Sequence, residues 1–104
     1  MIAQISAGDA ASQLEAGEVR LIDVRTAEEY AYVSVEGGEF LTPGLVDELR
    51  ELPRDTPLAF LCHHGVRSHQ AAAWFASEGF SDVRNVVGGI EAWALEVDPG
   101  LRRY

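Results

Sequence analysis

The sequence predicts an α/β domain with a mainly parallel central sheet and helices on both faces, residues 1–104 forming one unit. Three observations carry that expectation. Short apolar runs alternate with amphipathic segments along the chain, the order that strand–helix–strand crossovers produce. One run, Leu58-Ala59-Phe60-Leu61, is apolar throughout, as a buried strand should be. A chain of 104 residues suffices for one domain and not comfortably for two. It can bury roughly 65% of its unfolded surface, so it needs neither a disulfide nor a metal to fold.

Taken in order, Met1-Ile2-Ala3-Gln4-Ile5 reads as a first strand. Ser6 offers an N-cap to a helix carrying Ala10, Ala11 and Leu14, which ends near Ala16-Gly17. Val19 to Ile22 is a second strand, closed by Asp23-Val24-Arg25. Thr26-Ala27-Glu28-Glu29 is a capping box, which opens a short helix towards Tyr30 or Ala31. Tyr32 to Leu41 is the least legible stretch: Gly37-Gly38 suggests a turn, and Glu39-Phe40-Leu41 a brief third strand.

Thr42-Pro43 starts another helix with proline at its first position. Leu45, Val46, Leu49 and Leu52 share one face of it, up to Pro53. Arg54 to Pro57 turns the chain into the strand Leu58–Leu61. After it, Ser68 is expected to cap a helix that runs to Glu78 and stops at Gly79. Val83 to Val87 is a last strand, and Gly88-Gly89 turns sharply into a short helix bearing Ile90 and Trp93. Trp74, Phe75 and Trp93 read as core aromatics. The tail, Glu96 to Tyr104, has no strong pattern.

Composition narrows the function. Eight basic residues, all arginine, stand against seventeen acidic ones, a net charge of −9. That balance argues against nucleic acid as a partner, since phosphate backbones need a basic face. A small anionic substrate is still compatible, because screening over ~8 Å lets a loop's local field decide capture. One cysteine can form neither an internal disulfide nor a Cys-x-x-Cys pair. No apolar run approaches the ~20 residues that span a bilayer, and the N-terminus has no signal pattern. A soluble cytoplasmic protein, with no membrane association, is the expectation.

The chemistry concentrates where Leu61 gives way to Cys62-His63-His64-Gly65-Val66-Arg67-Ser68. A thiol at a strand end, ahead of a tight loop and a helix, faces backbone N–H groups, a helix dipole and a guanidinium. All three favour a thiolate, and together they form a cradle for a small anion. A lone cysteine at a strand end is most often a small buried hydrophobe. Gly65, Arg67 and the helix start behind Cys62 reverse that reading. A positive charge in the first turn opposes the dipole by ~0.3–1 kcal/mol, so an anion partner would explain Arg67.

Gly65 suits a bend that a Cβ would obstruct, and Ser68 reads as an N-cap rather than a catalytic hydroxyl. His63 and His64 add polarity around the anion; without a second cysteine at ligand spacing they make no metal site. His69 reads as structural. Asp23 and Arg25, also at a strand's carboxyl end, either tie loops together behind the pocket wall or touch substrate directly.

These residues resemble the rhodanese-like sulfurtransferases. The likeness is carried by Leu21-Ile22-Asp23-Val24-Arg25 with Glu28-Glu29-Tyr30, and by the loop Cys62 to Ser68. The alanine-rich helix ending in Gly79-Phe80 and the run Asn85 to Trp93 complete it, in the family's order over residues 21–93. The resemblance implies that Cys62 takes up a sulfane sulfur as a persulfide. It would come from a small anionic donor such as thiosulfate or a persulfide. The acceptor would be a thiol or cyanide, possibly on a protein, and no cofactor is required.

Where relatives often read Gly-His-Ile-Pro-Gly-Ala, this chain has Ser34-Val35-Glu36-Gly37-Gly38-Glu39, which leaves the third strand and the adjoining pocket rim unspecified. Two other classes stay open. Cysteine phosphatases and arsenate reductases also use a cysteine-to-arginine anion loop, usually with five intervening residues against the four here. A non-catalytic binding module could keep the fold, although an intact Cys62, Gly65 and Arg67 argues against it.

Overall fold

Every strand of this chain is followed by a helix, and the pairing that results is parallel throughout. The computed structural model describes residues 2–104; Met1, at the head of the expected first strand, lies outside them. The elements are β1 (Ile2–Ile5), α1 (Ala7–Glu15), β2 (Arg20–Asp23), α2 (Ala27–Tyr32), β3 (Gly38–Phe40), α3 (Pro43–Arg50), β4 (Leu58–Leu61), α4 (Val66–Ser77), β5 (Val83–Val86) and α5 (Gly89–Glu96). The strands lie in the order β1-β5-β4-β2-β3, with β4 at the centre.

Side chains alternate across the sheet and so build a core on each face. Leu21, Ala59, Leu61 and Val86 point to one side, against Ala7 and Ala10 of α1 and Ile90 and Trp93 of α5. Ile22, Leu58, Phe60 and Val83 point to the other, against Leu49 of α3 and Ala72 and Phe75 of α4. Each large apolar side chain so buried stabilises the fold by roughly 1.5–3 kcal/mol. All four residues of β4 are fully buried, which is why that run carries no polar alternation.

The local signals hold at most helix starts. Ser6 accepts from the Asp9 N–H at 3.0 Å, and Thr26 and Glu29 close both arms of their capping box. Thr42 caps α3 with Pro43 at its first position. The segment of 32–41 does hold a strand, but a residue earlier than expected. The Arg20 Nε donates to Glu39 at 2.9 Å, so an ion pair fastens this three-residue edge to β2.

Two expectations fail. The α4 helix begins at Val66, two residues before Ser68, because Gly65 itself occupies the N-cap with φ of 101°. Ser68 is therefore inside the first turn and completely buried. Trp74 is not a core aromatic but lies 44% exposed, lining a shallow groove with Leu41 and Val46. The alanines flanking it let Phe75, one residue on, take the core position instead.

Candidate active site

Because all strands run parallel, the residues after β2, β4 and β5 meet at one end of the sheet. Asp23 pairs in register with Leu61, and the Val24 N–H donates to the Leu61 carbonyl at 2.9 Å. That places the Asp23–Arg25 turn beside Cys62. From the other side, the turn after β5 is pressed onto the cysteine loop. The Ile90 N–H donates to the Cys62 carbonyl at 2.8 Å and the Glu91 N–H to that of His63 at 3.2 Å. A Cβ on Gly89 would stand 2.4 Å from the Cys62 carbonyl oxygen, so only glycine permits this approach.

Cys62 is 1% exposed. Its Sγ accepts from the Gly65 N–H at 3.0 Å and lies 3.2 Å from the Ser68 hydroxyl. Burial pushes the thiol up, but the Ser68 hydroxyl and the N–H groups of Ser68, Gly65 and His64 together outweigh it. The net displacement is below the ordinary thiol value. The left-handed Gly65 makes this possible. A Cβ there would sit 3.2 Å from the Gly88 nitrogen and 3.3 Å from the Val86 carbonyl oxygen.

Ser68 is thus a sulfur partner rather than a helix cap. Its hydroxyl donates to Asn85 Oδ1 at 2.6 Å, and Asn85 Nδ2 donates to the Gly65 carbonyl at 3.2 Å and to Gln4 at 2.9 Å. Gln4 in turn meets His69 Nδ1 at 3.1 Å, so His69 terminates a polar chain at the surface.

Arg67 reaches the same rim with its guanidinium already engaged. It donates to both oxygens of Glu29, at 2.7 and 3.0 Å. The same carboxylate accepts from the Thr26 N–H at 3.1 Å and from the Tyr104 hydroxyl at 2.6 Å. Its pKa is held well below the usual carboxylate range, chiefly by Arg67.

Asp23 and Arg25 tie loops together. Arg25 Nη2 donates to Asp23 at 2.7 Å and to the Val33 carbonyl at 2.7 Å. Its Nη1 donates to Tyr104 at 3.0 Å. With both partners buried, removing either would leave an uncompensated charge, at a cost of about 3–5 kcal/mol.

Tyr104 is the rim residue that sequence reasoning missed. Its ring stacks on His63 at 3.8 Å, and His63 stacks on His64 at 3.9 Å. Arg103 pairs with Glu91, and Arg102 lies over the Tyr32 ring at 5.5 Å. The segment 102–104 thereby folds onto the cysteine loop. Burial, with His64 beside it, lowers the His63 pKa. Val66, expected in the loop, is the first residue of α4 and 67% exposed. Among the described residues no cluster of His, Cys, Asp and Glu is arranged to hold a metal ion, and no helix is long and apolar enough to cross a membrane.

Comparison with known proteins identifies the family and the fold. A family model for the rhodanese-like domain matches residues 6–96. The chain is 35% identical over 88 residues to the thiosulfate sulfurtransferase GlpE of Pseudomonas paraeruginosa, covering 84% of this chain and 80% of that protein. It is 36% identical over 90 residues to a probable adenylyltransferase/sulfurtransferase MoeZ of Mycobacterium tuberculosis. There it spans 84% of this chain but only 23% of the larger protein. A rhodanese-like domain protein from Staphylococcus aureus superimposes with a TM-score of 0.77, at 28% identity and 99% coverage of both chains.

Proposed function

This chain belongs to the rhodanese-like domain family, and on that premise we propose that it is a sulfurtransferase carrying a sulfane sulfur on Cys62. One observation carries the reading. The Sγ of the protein's sole cysteine is held at the head of α4, where the Gly65 N–H donates to it at 3.0 Å and the Ser68 hydroxyl lies 3.2 Å away. Donors so placed stabilise a thiolate before reaction and the anionic outer sulfur after it.

The donor is a small sulfane such as thiosulfate or a persulfide. The Cys62 thiolate attacks its outer sulfur, a new S–S bond forms to Sγ, and the donor's own S–S bond breaks. The leaving group, sulfite or a thiolate, departs with that electron pair. Discharge runs the same way in reverse, with cyanide or a thiol attacking the outer sulfur and Cys62 returning as thiolate. Loop amides and Arg67 receive the donor's anionic end, which requires Arg67 to leave Glu29. Asp23 and Arg25 hold the wall behind it, while His63 and His64 add a polar rim.

The four-residue spacing between Cys62 and Arg67 also favours sulfur over phosphate. A tetrahedral phosphorus with its oxygens ringed by N–H groups needs a wider cradle than one sulfur atom. Misplacing reacting atoms by ~1 Å can cost about a hundredfold in rate. Turnover of thiosulfate with cyanide, compared with hydrolysis of an aryl phosphate, tests the proposal. Sulfur transfer without phosphatase activity is expected. Efficient phosphate hydrolysis, or partner binding with no turnover of either kind, would assign the fold to another class.

A further inference from the structure

The Ser68 hydroxyl has one proton and two acceptors that want it. Cys62 Sγ lies 3.2 Å away and Asn85 Oδ1 lies 2.6 Å away. Asn85 cannot resolve the contest by flipping its amide. The group opposite its other end is the Gly65 carbonyl, at 3.2 Å, which can only accept. Nδ2 must therefore face Gly65, and Oδ1 must face Ser68. Asn85 is 4% exposed and Ser68 fully buried, so an acceptor left without a proton is costly on either side.

We propose that Asn85 is a positioning residue for sulfur loading: its Oδ1 competes with Cys62 Sγ for the single Ser68 proton and accepts it when charge leaves the inner sulfur. The inference rests on the sulfur-transfer reading. While Cys62 is a thiolate, Ser68 turns to the sulfur and Oδ1 is short of a donor. When Sγ forms its bond to the incoming sulfur, the donor's leaving group takes the old bond pair, and the negative charge moves to the outer atom. Sγ is then a poor acceptor. The Ser68 hydroxyl, which keeps its proton on oxygen throughout, swings to Asn85. The exchange is worth more after charge has begun to leave Sγ than before it, so it favours the transition state and the loaded state over the free thiolate.

A merely structural Asn85 and a competing one predict opposite signs. Loss of a tether would loosen Gly65, weaken the amide cradle and make the thiol less acidic. Loss of a competitor frees the Ser68 proton for the sulfur and makes it more acidic. The decisive experiment is the pH profile of Cys62 alkylation by iodoacetamide, with no sulfur donor present, in wild type, Asn85→Ala, Ser68→Ala and the double variant. The other titratable or charged groups around the loop, His63, His64 and Arg67 on the loop itself, Asp23, Arg25 and Glu29 from the β2 side, Glu91 and Tyr104 over the rim and His69 on α4, are the same in all four.

Asn85→Ala should shift the profile to lower pH, with alkylation well below the midpoint about two- to tenfold faster, the range of one hydrogen bond. Ser68→Ala should shift it upward, and adding Asn85→Ala to it should change nothing further. A shift to higher pH in Asn85→Ala, or an equal downward shift with and without Ser68, would overturn the proposal. As a check that needs no change at position 85, the Asn85 side-chain amide resonances should move as Cys62 titrates in wild type and stay fixed in Ser68→Ala. Resonances that do not move in wild type would also overturn it. After thiosulfate treatment the persulfide fraction should be several-fold lower in Asn85→Ala, and a fraction equal to wild type contradicts the loading role. A wild type that takes up no sulfur at all refutes the sulfur-transfer reading and the loading role with it, while the alkylation profiles still decide the proton competition.

Discussion

Glu29 and Arg67, 38 positions apart in the chain, face each other as a two-pronged ion pair at the rim of the Cys62 loop. The carboxylate occupies the guanidinium face that an anionic donor would use. Glu29→Gln removes the competing charge and should lower the KM for thiosulfate about three- to tenfold, the effect of ~1 kcal/mol. Arg67→Ala should raise it. Steady-state kinetics at fixed cyanide measure both. An unchanged KM in Glu29→Gln would mean that Arg67 does not receive the donor.

The same pair gives stability a pH dependence of defined sign. The Glu29 carboxyl lies well below its ordinary range in the folded state, chiefly because of Arg67. Its contribution is therefore complete above the unfolded value of about 4.3 and is lost as pH falls towards the folded value. Arg67 is 43% exposed, so solvent screening holds the term to about 1 kcal/mol or less. Urea midpoints at pH 6 and pH 3 should fall further in wild type than in Glu29→Gln. Equal falls would remove the pair from the acid response.

Gly89 should tolerate no side chain. Its φ of 59° is left-handed, and an added Cβ would meet the Cys62 and His63 carbonyl oxygens at 2.4 and 2.5 Å. Gly89→Ala should cost at least about 2 kcal/mol and slow Cys62 alkylation by displacing the loop. A variant with wild-type stability and thiol reactivity would show that the turn and the loop are not coupled.

Much of the architecture was legible because it depends on local signals. Capping residues at Ser6, Thr26 and Thr42 announced their helices, and the unbroken apolar run of β4 announced its central place. Cys62 stood out because a strand, a loop and a helix start surround it within a few residues. What the chain could not display were contacts made across it. Ser68 reads as a cap until Gly65 is seen to take that role, leaving the hydroxyl for Cys62 and Asn85. Arg67 reads as a ligand for a substrate anion, and nothing local shows that Glu29 is already paired with it. Trp74 reads as core because the periodicity of α4 is blurred by small alanines.

Tyr104 belongs to that hidden group, and its part is testable. Tyr104→Phe keeps the ring on His63 but loses the bonds to Glu29 and Arg25; Tyr104→Ala loses both. Thiol–disulfide exchange of Cys62 with a bulky aromatic disulfide, read by release of the aromatic thiolate, should quicken from wild type to Phe to Ala, by several-fold in the last. At 43% exposed, Tyr104 should change global stability by about 1 kcal/mol when truncated. Identical rates in all three proteins would show that segment 102–104 does not limit access.

Whether Cys62 carries sulfur is decided by intact-protein mass spectrometry after thiosulfate treatment. The wild type should gain the mass of one sulfur atom, lose it on addition of a reductant or cyanide, and show no gain in Cys62→Ser. A wild type that gains nothing, or a Cys62→Ser variant that still gains sulfur and turns over, would show that Cys62 is not the sulfur carrier.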